Sequence, residues 1–187
     1  EPQSNQILVR VTRSQVSAGS EMNFVRHGAL AYGLKPCDDG REQYAIGYMT
    51  VGRVEALGAG VTGYAVGERV LTGGTHGSHW LVDPTTPSGH IAKLPDNISD
   101  DAAGFDILGD VALHGVRRAA LQIDESVAVF GMGMVGQLTL QLARLSGAYP
   151  LIAVDLFDSR LAMAKTSGAT HTINAAREDA PKVIREM

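Results

Sequence analysis

A strand–turn–helix–strand segment that ends in an acidic residue constrains the fold of this chain more than any other feature. The apolar run 126–130 leads into the glycine-rich turn 131–136, which reads GMGMVG. An amphipathic stretch then separates this turn from a second apolar run, 151–155. Apolar runs rich in β-branched residues that flank a glycine turn and a helix are typical of a βαβ unit in a parallel sheet. We therefore predict a doubly wound α/β domain here.

The glycines of this turn have distinct expected roles in binding a dinucleotide. Gly131 allows the tight turn, Gly133 lets the backbone approach a pyrophosphate, and Gly136 lets the helix pack closely on the strand. The helix that opens with Met134 and Val135 is expected to present the N–H groups of its first turn and the positive end of its dipole to the phosphates. These five residues are the predicted cofactor contacts of the turn.

Asp155 closes the second strand about 20 residues after the motif, where an acid accepts hydrogen bonds from the adenosine ribose hydroxyls. Its carboxylate would repel a 2′-phosphate, and none of the next three residues carries a positive charge. The sequence therefore favours NAD over NADP as the cofactor. Arg160 is the nearest cation. It is either a contact to the adenosine side of the cofactor or a solvated arginine in the first helical turn.

Composition narrows the classes of function. The 187 residues are 44% hydrophobic and 19% charged, with a formal net charge of −4 and no basic run, so we expect no nucleic-acid partner. No apolar stretch approaches the roughly 20 residues of a membrane span. The single cysteine, Cys37, excludes an internal disulfide and a cysteine-cluster metal site. We expect a cytoplasmic protein.

The pattern of glycines and apolar runs along the chain changes after Pro95. Many of the 22 glycines lie between residues 19 and 77, among short apolar runs that predict a compact β-rich domain: 7–11, 50–57, 68–71 and 79–82. A helix is predicted to start at 99–101, and helices and strands alternate from there to Met187. We predict a β-rich domain over residues 1–110 and an α/β domain over residues 111–187.

Four further segments, in order, resemble the medium-chain dehydrogenase/reductase superfamily, to which the zinc alcohol dehydrogenases belong. They are 59–70, 91–99, 113–119 and 167–171. The resemblance implies a GroES-like β-rich domain over 1–110, followed by the first half of a Rossmann doubly wound parallel sheet over 111–187. It also implies a small-molecule substrate bound in the cleft between the domains, and a homodimer as the full-length protein.

The sequence departs from the zinc members of this superfamily at the metal. Their Gly-His-Glu segment is here Gly47-Tyr48-Met49, the segment that should hold a cysteine is 17–21 (SAGSE), and Asp106 is the only plausible donor in the third-ligand region. Zinc needs three N, S or O donors, and phenol and thioether groups are poor ligands. We therefore predict no metal. Tyr48 then either donates a hydrogen bond or a proton to the substrate, or fills the vacated pocket together with Met49. Ser17, Ser20 and Glu21 lie near the position of the missing cysteine, and we favour a role in filling space over one in assisting the reaction.

His76 and His79 have ligand-like spacing, but no third ligand is evident near them in the sequence. We therefore interpret both as exposed histidines of a glycine-rich turn.

A second departure is length, because the superfamily continues for roughly another half of a Rossmann fold. A three-stranded half sheet leaves an exposed edge and an uncovered apolar face. We expect the 187 residues to be part of a longer polypeptide, and to be poorly stable and inactive alone.

For the full-length protein the sequence favours a zinc-independent NAD(H)-dependent oxidoreductase that transfers a hydride to or from a small alcohol or carbonyl substrate. Two alternatives stay open. One is a quinone or enoyl reductase that uses NADPH, and the other is a dinucleotide-binding module without catalysis.

Overall fold

The computed structural model describes residues 1–28 and 46–187. These form two compact units, Glu1–Asp106 and Ile107–Met187, a division slightly earlier in the chain than the predicted boundary at 110/111. Cys37 lies outside the described residues. Within the described ranges, no helix is both long and apolar enough to cross a bilayer.

The first unit is built on a five-stranded antiparallel sheet with the strand order β4-β1-β2-β3-β5. Apolar side chains of four strands form its core: Ile7, Val9, Val54, Val70 and Val82. The elements are β1 (Ile7–Ser14), α1 (Ala18–His27), β2 (Thr50–Leu57), β3 (Arg69–Thr72), β4 (His79–Val82), β5 (Ile91–Lys93) and α2 (Asp100–Ala103).

The short helix α2 begins where the sequence predicts, because the Ser99 hydroxyl caps it by accepting a hydrogen bond from the N–H of Ala102. Asp100 joins this helix to the sheet. Its carboxylate accepts hydrogen bonds from Thr12 Oγ1 at 2.7 Å and from Arg69 Nη2 at 2.6 Å. The hydrogen bond from Thr12, and next in size that from Arg69, lowers the pKa of Asp100 below its ordinary value, although burial acts in the opposite direction.

The second unit is a three-stranded parallel sheet with the order β6-β7-β8 and helices on both faces. The central strand is buried on both sides. Leu151 and Ala153 pack with residues of α4 and α5, whereas Ile152 and Val154 pack with Ala180 of α6. The elements are α3 (Asp106–Ala119), β6 (Val127–Phe130), α4 (Met134–Leu145), β7 (Leu151–Asp155), α5 (Asp158–Thr166), β8 (His171–Asn174) and α6 (Ala180–Arg185). The predicted fold class is confirmed.

Candidate cofactor and catalytic sites

The glycine-rich turn of the second unit has the close packing that its sequence predicts. Gly131 adopts φ +89°, in the region that favours glycine, and its N–H donates to the carbonyl of Val154 at 2.8 Å. A Cβ at Gly136 would overlap the carbonyl oxygen of Gly131 and lie 2.9 Å from the carbonyl carbon. The helix α4 can therefore approach the turn only because residue 136 has no side chain.

The start of α4 has the features of an anion site. Gly133 is its N-cap in an extended conformation, and no side chain caps the helix there. The first N–H groups of an α-helix have no acceptor within the helix, and Val135 and Gly136 lie in this first turn. A Cβ at Gly133 would meet no atom within 4 Å, so the space beside this residue is open in the second unit. Contact with a cofactor stays a prediction for these residues.

Asp155 lies at the carboxyl end of β7, directly beside this turn. Its Oδ2 accepts a hydrogen bond from the N–H of Met132 at 2.6 Å, and its Oδ1 accepts one from the N–H of Phe157 at 2.9 Å. The side chain is only 4% exposed. Burial alone would raise the pKa of Asp155, but these hydrogen bonds, a third from Leu156 and the charge of Arg160 together lower it. The structure therefore holds a carboxylate that favours its charged form.

Arg160 lies in the first turn of α5 and faces the same carboxylate. Its Nη1 is 3.6 Å from Asp155 Oδ2, and its guanidinium lies over the Phe157 ring, 4.9 Å from the ring centroid. Both Arg160 and Phe157 remain exposed in the second unit. The structure thus groups the predicted residues of the turn with Asp155 and Arg160 at one end of the parallel sheet.

In the first unit, a buried carboxylate organises a second group of polar residues. Glu21 lies in α1, and its side chain is 6% exposed. Its Oε1 accepts a hydrogen bond from the N–H of Ser17, the residue that precedes α1, at 2.7 Å. Its Oε2 is 2.8 Å from Nε2 of His76, a residue 55 positions along the chain. Both carboxylate oxygens are thereby engaged.

The segment that contains Tyr48 is fixed against the same histidine. The N–H of His76 donates to the carbonyl of Ile46 at 2.8 Å, and a Cβ at Gly47 would lie 2.9 Å from the His76 ring. Tyr48 follows directly, and its hydroxyl donates to Ser20 Oγ at 3.4 Å. One small region of the first unit therefore contains a carboxylate, an imidazole and two hydroxyl groups.

The sequence-based interpretation of His76 is wrong in this structure. Its side chain is 25% exposed and paired with Glu21, so it is not an exposed turn residue. His79 is exposed as expected, but it lies in strand β4, 3.4 Å from Glu55. No sequence signal joins the two residues of this pair, and Glu21 is recognisable only as the acid of segment 17–21.

Of the described residues, Tyr48, Met49 and Asp106, which occupy ligand positions inferred from the sequence, do not fit the catalytic zinc site of the zinc alcohol dehydrogenases. Met49 is buried, with 2% of its surface exposed, and a thioether is a poor zinc ligand. The Tyr48 hydroxyl donates a hydrogen bond to Ser20. Asp106 Oδ2 lies 3.1 Å from His90 Nε2, and both of these side chains are exposed. Among the described residues, no group of three or more His, Cys, Asp or Glu side chains could hold a metal ion.

Comparison with known proteins identifies the family of this chain. A family model described as zinc-binding dehydrogenase matches residues 134–187. L-threonine 3-dehydrogenase of Anaeromyxobacter dehalogenans is 30% identical over 209 residues, a match that covers 97% of this chain and 58% of that protein. The chain belongs to the medium-chain dehydrogenase/reductase superfamily. Its resemblance to the zinc alcohol dehydrogenase-like members is thereby confirmed.

Two further comparisons extend this result within the superfamily. D-xylulose reductase of Scheffersomyces stipitis is 27% identical over 216 residues, covering 96% of this chain and 57% of that protein. The solved structure of an alcohol dehydrogenase from Thermus sp. ATN1 superposes with a TM-score of 0.79 at 25% identity, covering all of this chain and 60% of that chain. The chain thus spans less than two thirds of the length of these relatives.

Proposed function

We propose that the full-length protein is an NAD(H)-dependent oxidoreductase that interconverts a small alcohol and its carbonyl compound without catalytic zinc. The observation that carries the proposal is the buried, hydrogen-bonded carboxylate of Asp155 beside the glycine-rich turn. The similarity to L-threonine 3-dehydrogenase and D-xylulose reductase supports the class of substrate.

The second unit supplies the groups that would hold the cofactor. The N–H groups at the start of α4 would bind the pyrophosphate, and the open space beside Gly133 would admit it. Asp155 would accept hydrogen bonds from the adenosine ribose, and its negative charge would disfavour a 2′-phosphate. When bound, the cofactor supplies the hydride chemistry.

In place of zinc, the first unit would supply a hydrogen-bond donor to the substrate oxygen. Tyr48 is partly exposed, and its hydroxyl is oriented by Ser20. A phenol placed beside a carbonyl oxygen stabilises the negative charge that develops there during reduction. Met49 by contrast is a core residue, which agrees with the pocket-filling role considered from the sequence.

One observation favours the alternative of an NADPH-dependent quinone or enoyl reductase. Arg160 places a half-exposed guanidinium beside Asp155, and an arginine at this edge can accommodate a 2′-phosphate. In this structure Arg160 faces the Asp155 carboxylate, which partly neutralises it. Tighter binding of NADPH than of NADH would favour this alternative.

The experiment that tests the proposal is steady-state turnover by the full-length protein in a zinc-chelating buffer. The substrate panel is L-threonine, xylitol and propan-2-ol with NAD⁺, and D-xylulose with NADH. We expect turnover of at least one member, and a loss of about 10²-fold in kcat for Tyr48→Phe, the size of effect found when one donor to a developing oxyanion is removed. Ser20→Ala, which keeps the phenol, should lose much less.

Three results would contradict parts of the proposal. Activity that disappears on chelation and returns with zinc would refute zinc independence. Unchanged kcat in Tyr48→Phe would show that this side chain only fills space. Binding of NADH without turnover of any panel member would favour the non-catalytic dinucleotide-binding module. The predicted homodimer and the cytoplasmic location stay predictions.

A further inference from the structure

The proposed function gives a role to Tyr48 but none to the Glu21–His76 pair. Oxidation of an alcohol to a carbonyl compound removes a hydride from carbon and a proton from oxygen. The nicotinamide cofactor of the proposed function accounts for the hydride. The proton needs an acceptor, a role that a side chain of the protein can fill, and the same side chain can return the proton during carbonyl reduction.

We propose that His76 is this proton acceptor and that Glu21 is its positioning residue. The inference rests on the proposed function, and it adds a residue of the first unit that the sequence did not indicate. Its basis is the geometry around the imidazole ring.

The hydrogen bond to Glu21 determines which ring nitrogen of His76 can act as a base. Nε2 lies 2.8 Å from Glu21 Oε2, and we assign the proton of this hydrogen bond to Nε2, because a carboxylate that carries its charge can only accept hydrogen bonds. In the neutral imidazole, Nδ1 is then the atom with the free lone pair. No hydrogen-bond partner of Nδ1 lies within the described parts of the chain. A carboxylate that selects the tautomer and stabilises the resulting imidazolium is the arrangement found in several unrelated hydrolases.

The surroundings hold this ring in one orientation while leaving part of it accessible. Glu21 is itself fixed by the N–H of Ser17, and the backbone of His76 is fixed by the carbonyl of Ile46. Gly47 leaves room for the ring, because any side chain at that position would contact it. A quarter of the His76 side chain nevertheless remains exposed in the first unit.

The backbone around His76 also connects this residue to Tyr48. Tyr48 directly follows Gly47, so the proposed donor to the substrate oxygen and the proposed proton acceptor belong to one packed group of backbone segments. A structural pair whose only task was to join α1 to the loop before β4 would need neither the partial exposure of His76 nor an Nδ1 atom without a partner among residues 1–28 and 46–187.

The test uses the full-length protein, the substrate panel and four variants. For His76→Ala we expect a loss of about 10²–10⁴-fold in kcat, the usual contribution of a general base, with NADH affinity essentially unchanged. Added imidazole should restore part of the lost activity, because it can occupy the space left by the side chain. His76→Gln keeps most of the side-chain volume, and it replaces His76→Ala in the activity measurement if the alanine variant does not fold. The matched control is His79→Gln, an exposed histidine outside the pair, which should keep its activity.

The positioning role of Glu21 has its own readout. Glu21→Gln preserves the shape and an acceptor for the Ser17 N–H but removes the charge. We therefore expect kcat to fall by about 10-fold or more with little change in KM. Independently of activity, ¹⁵N-edited NMR of histidine-labelled protein should show His76 as the Nε2–H tautomer, and this preference should weaken in Glu21→Gln.

The outcomes separate this inference from the proposed function. If the unchanged protein turns over the panel and both His76 variants stay within about threefold of it, the His76 assignment alone is wrong. A loss of activity that imidazole does not restore, or an Nδ1–H tautomer in the NMR spectrum, also overturns the assignment. If the unchanged protein is inactive on the whole panel, the proposed function fails and this inference fails with it.

Discussion

The two glycines Gly133 and Gly136 should respond differently to the same substitution, because the structure surrounds them differently. An added methyl group at Gly136 would overlap the carbonyl oxygen of Gly131 and lie 2.9 Å from its carbon, well inside ordinary contact distance. Both groups are backbone, so neither can rotate away. Overpacking of this kind costs about 1–3 kcal/mol, and we expect Gly136→Ala to lower the free energy of unfolding by that amount.

At Gly133 the same methyl group would meet no atom within 4 Å, and the backbone there has φ −72°, which any residue adopts. We expect Gly133→Ala to change the free energy of unfolding by less than about 0.5 kcal/mol. If the pyrophosphate occupies the open space, however, the methyl group must clash with the cofactor. A clash of about 1–3 kcal/mol corresponds to a rise of roughly 5–150-fold in the Kd for NADH.

The assay is urea unfolding followed by circular dichroism, together with fluorescence titration of NADH, for both variants of the full-length protein. The expected pattern is a stable Gly133→Ala variant with weak NADH binding, and a destabilised Gly136→Ala variant. The reasoning would be refuted if Gly133→Ala bound NADH as tightly as the unchanged protein, or if it lost as much stability as Gly136→Ala.

Three further predictions concern carboxylates. Asp155→Ser should raise the affinity for NADPH relative to NADH by about 10-fold or more, because the charge that repels a 2′-phosphate is removed. An unchanged ratio of the two Kd values in paired titrations would contradict this prediction. Folding lowers the pKa of Asp155, so its charged form stabilises the folded protein. This stabilisation is fully present above the unfolded pKa of about 3.9, and it is lost as the pH falls through the lower pKa of the folded state. Asp155→Asn should therefore lose less stability than the unchanged protein on acidification from pH 5 to pH 2, measured by urea unfolding. Asp100→Asn should lower the free energy of unfolding by about 1–3 kcal/mol, because it weakens the hydrogen bonds from Thr12 and Arg69. Asp158→Asn removes a charge from an exposed ion pair and should change the free energy of unfolding little. Equal losses in the two variants would show that burial does not determine the contribution of these carboxylates.

The second unit could be predicted closely from the sequence because its signals are local. Strand β7 has the predicted bounds, 151–155, since an apolar run that is buried on both faces has few alternative structures. The turn roles of Gly131 and Gly136 follow from their spacing within six residues. Asp155 could likewise be placed beside them because the strand–turn–helix–strand order fixes where the acid lies.

The candidate catalytic region of the first unit could be predicted only in part. Helix α1 was not indicated, because its only buried residue is Glu21 and an apolar stripe is therefore absent. The contact between Glu21 and His76 joins residues 55 positions apart, and no spacing rule covers such a contact. It depends on how α1 and the loop before β4 pack in three dimensions. His76 was consequently interpreted as a turn residue, although it is half of a partly buried pair.

The central claim is that the carboxylate of Asp155 and the glycine-rich turn together bind NAD(H). Isothermal titration of NADH and of NADPH into the full-length protein tests it most directly. The account predicts one NADH site per chain and a Kd for NADH at least about 10-fold below that for NADPH, equivalent to about 1.4 kcal/mol. Equal or tighter binding of NADPH, or no binding of either dinucleotide, would contradict it.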